Sequence, residues 1–294
     1  MSSIKIYILS TDNMLRPSTT SRTFRYPPHN KDYGVEQDFY EFIRKNNIYV
    51  TDSLRSADWH YLPVYWTRWH LNHNYAKDGL DELQKAVDKC IINSKKTFTI
   101  CQYDDGPVVN LGKTLLFLSS RQKKINGTDI PLLCSCHRKP FFGWRKKYLA
   151  SFVGRLHTYP IRTKMVEKIY KRKDIFIYDG NKGSSFFVRK ILESYIALCP
   201  RGYGGSSFRF FEAMQLGVVP YLIGDIDTRP FKKFIRWDNI SLFSSSSCNL
   251  NRTLDSLSKN NLVIMGKQAE KEYQEKLDYQ KWCKLVLKEL EVLK

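Results

Sequence analysis

Nowhere does this 294-residue chain approach the ~18 consecutive apolar residues that a membrane-crossing helix requires. Its N-terminus offers only Ile4-Lys5-Ile6-Tyr7-Ile8-Leu9, too short for the apolar core of a secretory signal. These absences predict a soluble, cytoplasmic protein without a membrane span, in which the sequons at Asn126, Asn239 and Asn251 are incidental. A disulfide framework is lacking too. The 7 cysteines are odd in number and several sit in apolar runs, as buried free thiols do. Cys134-Ser135-Cys136-His137 has no second Cys/His pair at zinc spacing, so no metal centre is expected there. Proline- or glycine-rich tracts and repeats are missing, and 42% hydrophobic with 14% aromatic residues describe an ordered globular chain. Acid is the scarce charge. With 29 Asp+Glu against 48 Lys+Arg the net charge is +19, which calls for anionic partners: nucleic acid, a membrane surface or phosphate-bearing small molecules. The basic clusters at 121–124, 145–147 and 171–173 are dispersed and read as solvated faces, with no tail or RNA-binding signature beside them.

What is present reads as two domains of roughly 100–150 residues each. The first half carries strand patterns at 4–10, 59–65, 97–103 and 114–119, with helical patterns at 37–45 and 80–93. Its loops are dense in polar and aromatic residues, above all the stretch 66–73. From residue 148 strands and helices alternate: strands at 148–153, 174–178, 195–198 and 218–223, helices at 161–172, 186–193 and 208–216. Repeated βα units imply a parallel, Rossmann-like sheet, which binds ligands at the carboxyl ends of its strands. The expected division is a lobe of residues 1–147, a second of 148–274, and a C-terminal helix at 275–294 that packs back on the first. Residues 265–294 read as one long helical pattern.

The most informative stretch is 198–225. It contains a strand end, a glycine loop, a helix and another strand. Gly202, Gly204 and Gly205 let backbone approach a ligand, while Ser206 and Ser207 supply hydroxyls and free amides at a helix N-terminus, where the dipole favours a diphosphate. Arg209 lies in the first turn. Glu212 follows three residues later on nearly the same face, suited to accept hydrogen bonds from ribose hydroxyls. Gly217 ends the helix. Read from the loop alone, an ordinary serine-capped helix competes with this.

The whole string resembles the signature of the exostosin-like glycosyltransferases, family 47: Pro200-Arg201-Gly202, then Ser207-Phe208-Arg209-Phe210-Phe211-Glu212-Ala213, then Gly217-Val218-Val219-Pro220. Pro230-Phe231 with Ile235-Arg236-Trp237, Gly154-Arg155 with Ile161-Arg162, and upstream Thr51-Asp52, Ala57-Asp58 and Leu62-Pro63-Val64-Tyr65 are similar to further family segments, in the same order. The resemblance implies an α/β, GT-B-type fold of two Rossmann-like lobes facing a central cleft, with acceptor bound by the first lobe and nucleotide-sugar by the second. It implies inverting transfer from a UDP-sugar to a glycan or glycoprotein hydroxyl, with no cofactor required. Some relatives carry paired arginines where this chain has Tyr203 and Gly204, so phosphate neutralisation falls on Arg155, Lys182, Arg201 or Arg209. The expected form is a compact one without the anchor and stem of eukaryotic relatives, similar to virus-encoded (chlorovirus) members, with UDP-xylose the first expected donor and UDP-galactose or UDP-glucuronate next.

A general base is expected from the first lobe. Asp104 and Asp105 follow the 97–103 strand at its carboxyl end. Asp78 precedes a helix that it could instead cap, and His70 and His73 are a third option. Trp66, Trp69, His70 and His73 are the candidate acceptor-binding residues, with aromatic stacking on sugar faces weighed against core packing. Asp225-Ile226-Asp227 raises a metal-dependent alternative with a divalent ion on the diphosphate. The charge of +19 raises another, a nucleic-acid-binding protein.

Overall fold

In the computed structural model, residues 4–18, 34–137, 139–140 and 143–294 are described. The chain divides into two compact units: Met1–Leu133 with Asp278–Lys294, and Cys134–Leu277. The boundary lies at 133/134 rather than at the expected 147/148, so the segment before the first strand of the second unit belongs with that unit.

The first unit contains β1 (Ile6–Ile8), α1 (Val35–Lys45), β2 (Trp59–Tyr61), α2 (Trp66–Asn72), α3 (Leu80–Cys90), β3 (Thr97–Cys101), β4 (Leu115–Leu118) and β5 (Thr128–Asp129). All five strands are parallel, in the order β1-β2-β3-β4-β5, and an isolated parallel bridge pairs Ile6 with Val50 on the outer side of β1. Every residue of β3, Thr-Phe-Thr-Ile-Cys, is buried, as a strand covered on both faces must be. On α1, Val35, Phe39, Phe42 and Ile43 share the buried stripe.

The second unit contains β6 (Tyr148–Gly154), α4 (Pro160–Ile169), β7 (Ile175–Asp179), α5 (Ser184–Leu192), β8 (Ser194–Pro200), α6 (Phe208–Gln215), β9 (Val219–Ile223), β10 (Leu242–Ser244), α7 (Leu250–Asp255) and α8 (Lys259–Glu272). Its strands are also all parallel, in the order β10-β9-β8-β6-β7. The chain therefore winds outward from β6 to β7, then returns to β8 on the other side. That reversal makes a topological switch point between β6 and β8, the place where doubly wound sheets open a crevice at their carboxyl ends. Ala150, Phe152, Ile196, Leu198, Val219 and Tyr221 form the core beneath it, covered by Met165, Ile169 and Leu262. Gly217 adopts φ +68° to end α6, and Gly266 of α8 sits so close to its backbone that a Cβ would collide. The expectation of two Rossmann-like α/β units is met by two parallel sheets.

Two expectations are corrected. The aromatic stretch 66–73 is not a loop: it forms the buried helix α2. Nor do residues 265–294 form one helix. A π turn (Tyr273–Leu277) follows α8, and after Gln280 in the left-handed region (φ 59°) the chain starts α9 (Cys283–Val292). The cause of the break is distant in sequence. Asp38 of α1 accepts the Gln280 N–H at 2.8 Å and the Trp282 indole N–H at 2.9 Å, and Trp59 Nε1 donates to the Leu290 carbonyl at 3.0 Å. Burial raises the Asp38 pKa despite those two bonds. A helical period gives no sign of such anchors.

Candidate nucleotide-binding site

At the carboxyl end of β8, Pro200 leads into a loop that Arg201 ties together. Its buried guanidinium donates to the carbonyls of Gly204 (3.1 Å) and Tyr203 (2.8 Å), pairs with Asp225 beyond β9, and lies 4.5 Å from the Tyr159 ring centre. Arg201 is thus spent on shaping the loop, which corrects its expected role as a phosphate ligand. Thr228 fixes the far side by donating to the Gly205 carbonyl at 3.0 Å. Gly202 and the exposed Tyr203 form the tip of the loop.

The loop delivers Ser206 and Ser207, both buried, to the N-terminus of α6. Ser207 is the N-cap residue, but its hydroxyl does not cap the helix and has no hydrogen-bond partner among the described residues. No acidic residue lies in the first turn. A buried hydroxyl without a partner beside the positive end of a helix dipole is a site prepared for an acceptor oxygen.

Two more arginines converge there. Arg209, in the first turn, crosses to β6 and donates from Nε to the Val153 carbonyl at 2.5 Å. It runs so close to Gly154 (φ +157°) that any Cβ at that position would strike its guanidinium, which explains the glycine. Arg162 of α4 bridges the two edges of the switch point, donating to the carbonyls of Arg201 (3.0 Å) and Arg155 (2.9 Å). Burial and then the nearby positive charge of Arg209 depress the Arg162 pKa to about 10. Neither Arg162 nor Arg209 pairs with a carboxylate among the described residues. Arg155 is exposed at the end of β6. Positive charge at this crevice therefore exceeds negative charge, and the near-neighbour guanidiniums repel until an anion arrives.

Glu212 lies one turn further along α6. His137 approaches it, Nε2 to Oε1 at 3.0 Å, while Ser184 meets His137 Nδ1 at 3.3 Å. These contacts leave Glu212 Oε2 without a bond to any described residue. The Cys134–His137 segment is clamped to α6 by Gln215, whose Oε1 accepts the His137 N–H (3.0 Å) and whose amide donates to the Ser135 carbonyl (3.0 Å). Lys182 stands exposed over Tyr178, 4.8 Å from the ring centre.

The structure thus gathers Arg155, Gly202, Ser206, Ser207, Arg209 and Glu212 around the carboxyl ends of β6 and β8, and adds Arg162 and His137. His137 was invisible in the sequence because its partner is 75 positions away. Arg162 was visible only as part of a resemblance.

The Asp225-x-Asp227 pair makes a poor cation site. Asp225 is taken by Arg201; Asp227 is gripped by Arg229 through both oxygens (3.0 Å each) and by Lys232 at 3.2 Å. Burial works against its ionisation, but the Arg229 hydrogen bonds prevail and lower its pKa.

In the first unit the acceptor candidates fall differently. Trp66, Trp69 and His70 are buried, and the indole of Trp66 donates to Thr99 Oγ1 at 2.9 Å. They are core, which corrects the expectation that they stack on sugar; half-buried His73 stacks on Trp69 at 3.7 Å and holds its carbonyl. Burial drives the His70 pKa down to about 4, only partly offset by the Gly106–Pro107 backbone. Asp78 is exposed and does not cap α3, whose N-cap is Gly79. Asp105 is exposed and bonded to Gln122 (2.8 Å) and Lys124 (3.6 Å); Asp104 beside it is half-buried.

Comparison with known proteins finds similarities over parts of the chain. The family model described as Exostosin GT47 domain matches residues 130–254. A "Probable glucuronosyltransferase" of Oryza sativa subsp. japonica is 26% identical over 129 residues, 43% of this chain and 30% of that protein. In Arabidopsis thaliana, a "Probable glycosyltransferase" is 30% identical over 95 residues (32% of this chain, 20% of that protein), and "Probable glucuronoxylan glucuronosyltransferase IRX7" is 42% identical over 53 residues (18% and 12%). The chain spans less than a third of the length of these relatives. A crystal structure of TarM aligns over 73% of this chain and 60% of that one, with TM-score 0.39 and 12% identity.

Proposed function

We propose that the chain is an inverting glycosyltransferase whose second unit holds a UDP-sugar and whose product is a glycosylated glycan or glycoprotein. The observation that carries this reading is the uncompensated cationic switch point: Arg162, Arg209 and the unpartnered Ser207 hydroxyl at the N-terminus of α6. A diphosphate supplies the absent negative charge, and Glu212 Oε2 accepts from the ribose. The matched domain covers these residues, and the relatives bear glycosyltransferase names. UDP-xylose remains the first donor, and the names of two relatives set UDP-glucuronate beside it.

In such a transfer a base takes the acceptor hydroxyl proton as its oxygen bonds to the anomeric carbon. The anomeric C–O bond breaks, and its electron pair leaves on UDP. The α6 N-terminus with Arg155, Arg162 and Arg209 stabilises that leaving charge without a divalent ion. Asp104 is the first candidate base, ahead of exposed Asp105 and Asp78.

Thermal unfolding with UDP, GDP, UDP-xylose and UDP-glucuronate tests the reading, because a ligand of the native state raises its melting temperature. Uridine nucleotides should raise it; if no nucleoside diphosphate does, the proposal fails. Asn substitution at Asp104, Asp105 and Asp78 in turn should identify one position at which transfer is lost and UDP binding is kept.

A further inference from the structure

The amino ends of the second unit's strands, opposite the donor crevice, hold a cavity of about 180 Å³. Lys146 just before β6, Tyr195 at the start of β8 and Gly217 just before β9 line it, and the seven residues of β8 set it roughly 20 Å from the diphosphate loop. Apolar walls come from Trp144, Leu192 and Leu262, and cations from Lys139, Lys146 and Lys267. Glu270 is the one acid among the described lining residues, and it is already bonded to Lys139 at 2.6 Å. Lys146 is half-buried. Of its three N–H donors only one has an acceptor among the described residues, the Ser194 carbonyl at 2.6 Å, and burial followed by the positive charge of Lys139 lowers its pKa to about 8. Lys259 adds a further cation, 5.9 Å from the Tyr195 ring centre.

Large apolar side chains face water around these cations: Trp144 is 41% exposed, Val263 of α8, which lines the cavity, 40%, and Ile264 beside it 55%. Nucleic acid would satisfy the lysines but offers an aliphatic pair nothing. An anionic bilayer offers both, phosphate to Lys and hydrocarbon to Val and Ile, with the indole at the level of the headgroups. We infer that this amino-end face of the second unit docks on an anionic phospholipid bilayer, with one lipid phosphate received in the cavity by Lys146 and Lys267 and with Val263 and Ile264 entering the headgroup–acyl boundary. A volume equal to about six waters at ~30 Å³ each has room for a phosphodiester. Docking there leaves the donor crevice, at the other end of the sheet, open to water, and does not depend on UDP.

Sedimentation of the full chain with phosphatidylcholine vesicles, with and without phosphatidylglycerol, at physiological salt tests this. The protein should pellet with the vesicles that contain phosphatidylglycerol and stay in solution with phosphatidylcholine alone. Lys267→Glu reverses one charge and should lower the partition about 10- to 30-fold, and Ile264→Asp should lower it about tenfold. Lys123→Glu, an equal charge reversal in the first unit, should lower it less than about threefold. All three positions are exposed, so the melting temperature should not change. Absence of pelleting with the anionic vesicles overturns the inference. So does an equal loss in Lys267→Glu and Lys123→Glu, which assigns binding to the net charge of +19. Full binding by Ile264→Asp overturns it too, because only lysines on phosphate are then at work, as with an RNA or a soluble anion.

Discussion

The two units carry the same device and use it in opposite ways. In each, the first strand (β1 or β6) is flanked by a pairing on one side and by the next strand (β2 or β8) on the other, and a helix starts just beyond that second strand. In the first unit the helix is α2, and its N-terminus is filled from within: Glu36 Oε1 accepts the Thr67 N–H (3.3 Å), the Thr67 hydroxyl (2.9 Å) and the Gln102 N–H (2.9 Å). Burial raises the Glu36 pKa even against those donors. In the second unit the equivalent helix is α6, and among the described residues no carboxylate fills its N-terminus; arginines gather instead. A helix N-terminus that holds a resident carboxylate needs no outside anion, whereas one with surplus positive charge beside it is a candidate anion site.

The largest effect expected from this contrast is in the first unit. Trp66→Ala should destabilise the protein by roughly 3–5 kcal/mol, the cost of emptying a core indole site, seen as a lower denaturation midpoint. A sugar platform would instead lose acceptor affinity at unchanged stability.

Acid should separate the units next. The folded His70 pKa of about 4 lies below the ordinary 6.5, so the unfolded chain binds the extra proton in between. The neutral-His70 contribution is full above pH 6.5 and is lost as pH falls toward 4, about 3 kcal/mol in all. Stability measured from pH 7 to 4 should fall less steeply in His70→Phe than in the parent; equal slopes would mean that His70 is not held neutral.

Arg209→Ala should lower UDP affinity by about 10- to 100-fold, as loss of a charged hydrogen bond worth ~1.5–3 kcal/mol does, with little change in fold. Isothermal titration gives the affinity, and an unchanged value would detach Arg209 from the phosphate.

The smallest change in stability is the most pointed. Ser207→Asp makes α6 resemble α2 by giving its N-terminus a resident carboxylate. Stability should rise by about 1 kcal/mol through the cap and the neighbouring arginines, while UDP binding drops sharply. A fall in melting temperature would show that this N-terminus is not waiting for an anion.

Much of this was legible in the chain. The alternation from 148 to 223 located β6 to β9 and α4 to α6 to within a few residues, because each βα repeat carries its own period and punctuation, whereas β10 and α7 were not read. Ser206, Ser207, Arg209 and Glu212 were readable as a group because a single loop and helix hold them. Arg201 was misread since a basic residue beside glycines can bind either phosphate or its own loop, and the choice was made by Asp225 and the carbonyls of Tyr203 and Gly204. Trp66, Trp69 and His70 were misread for a related reason: an aromatic run beside a strand end looks the same whether it faces solvent or core.

The sequence by itself determined what is local: the parallel βα winding, the glycine loop, the serine-started helix and the excess of positive charge. Tertiary structure alone decided which charges are satisfied. Glu36 closes one helix N-terminus across 31 positions, Asp38 breaks the C-terminal helix across 242, and His137 aligns Glu212 across 75. Local periodicity is set by the backbone and its neighbours, but an electrostatic partner is chosen by distance in space, and only the folded chain fixes that distance.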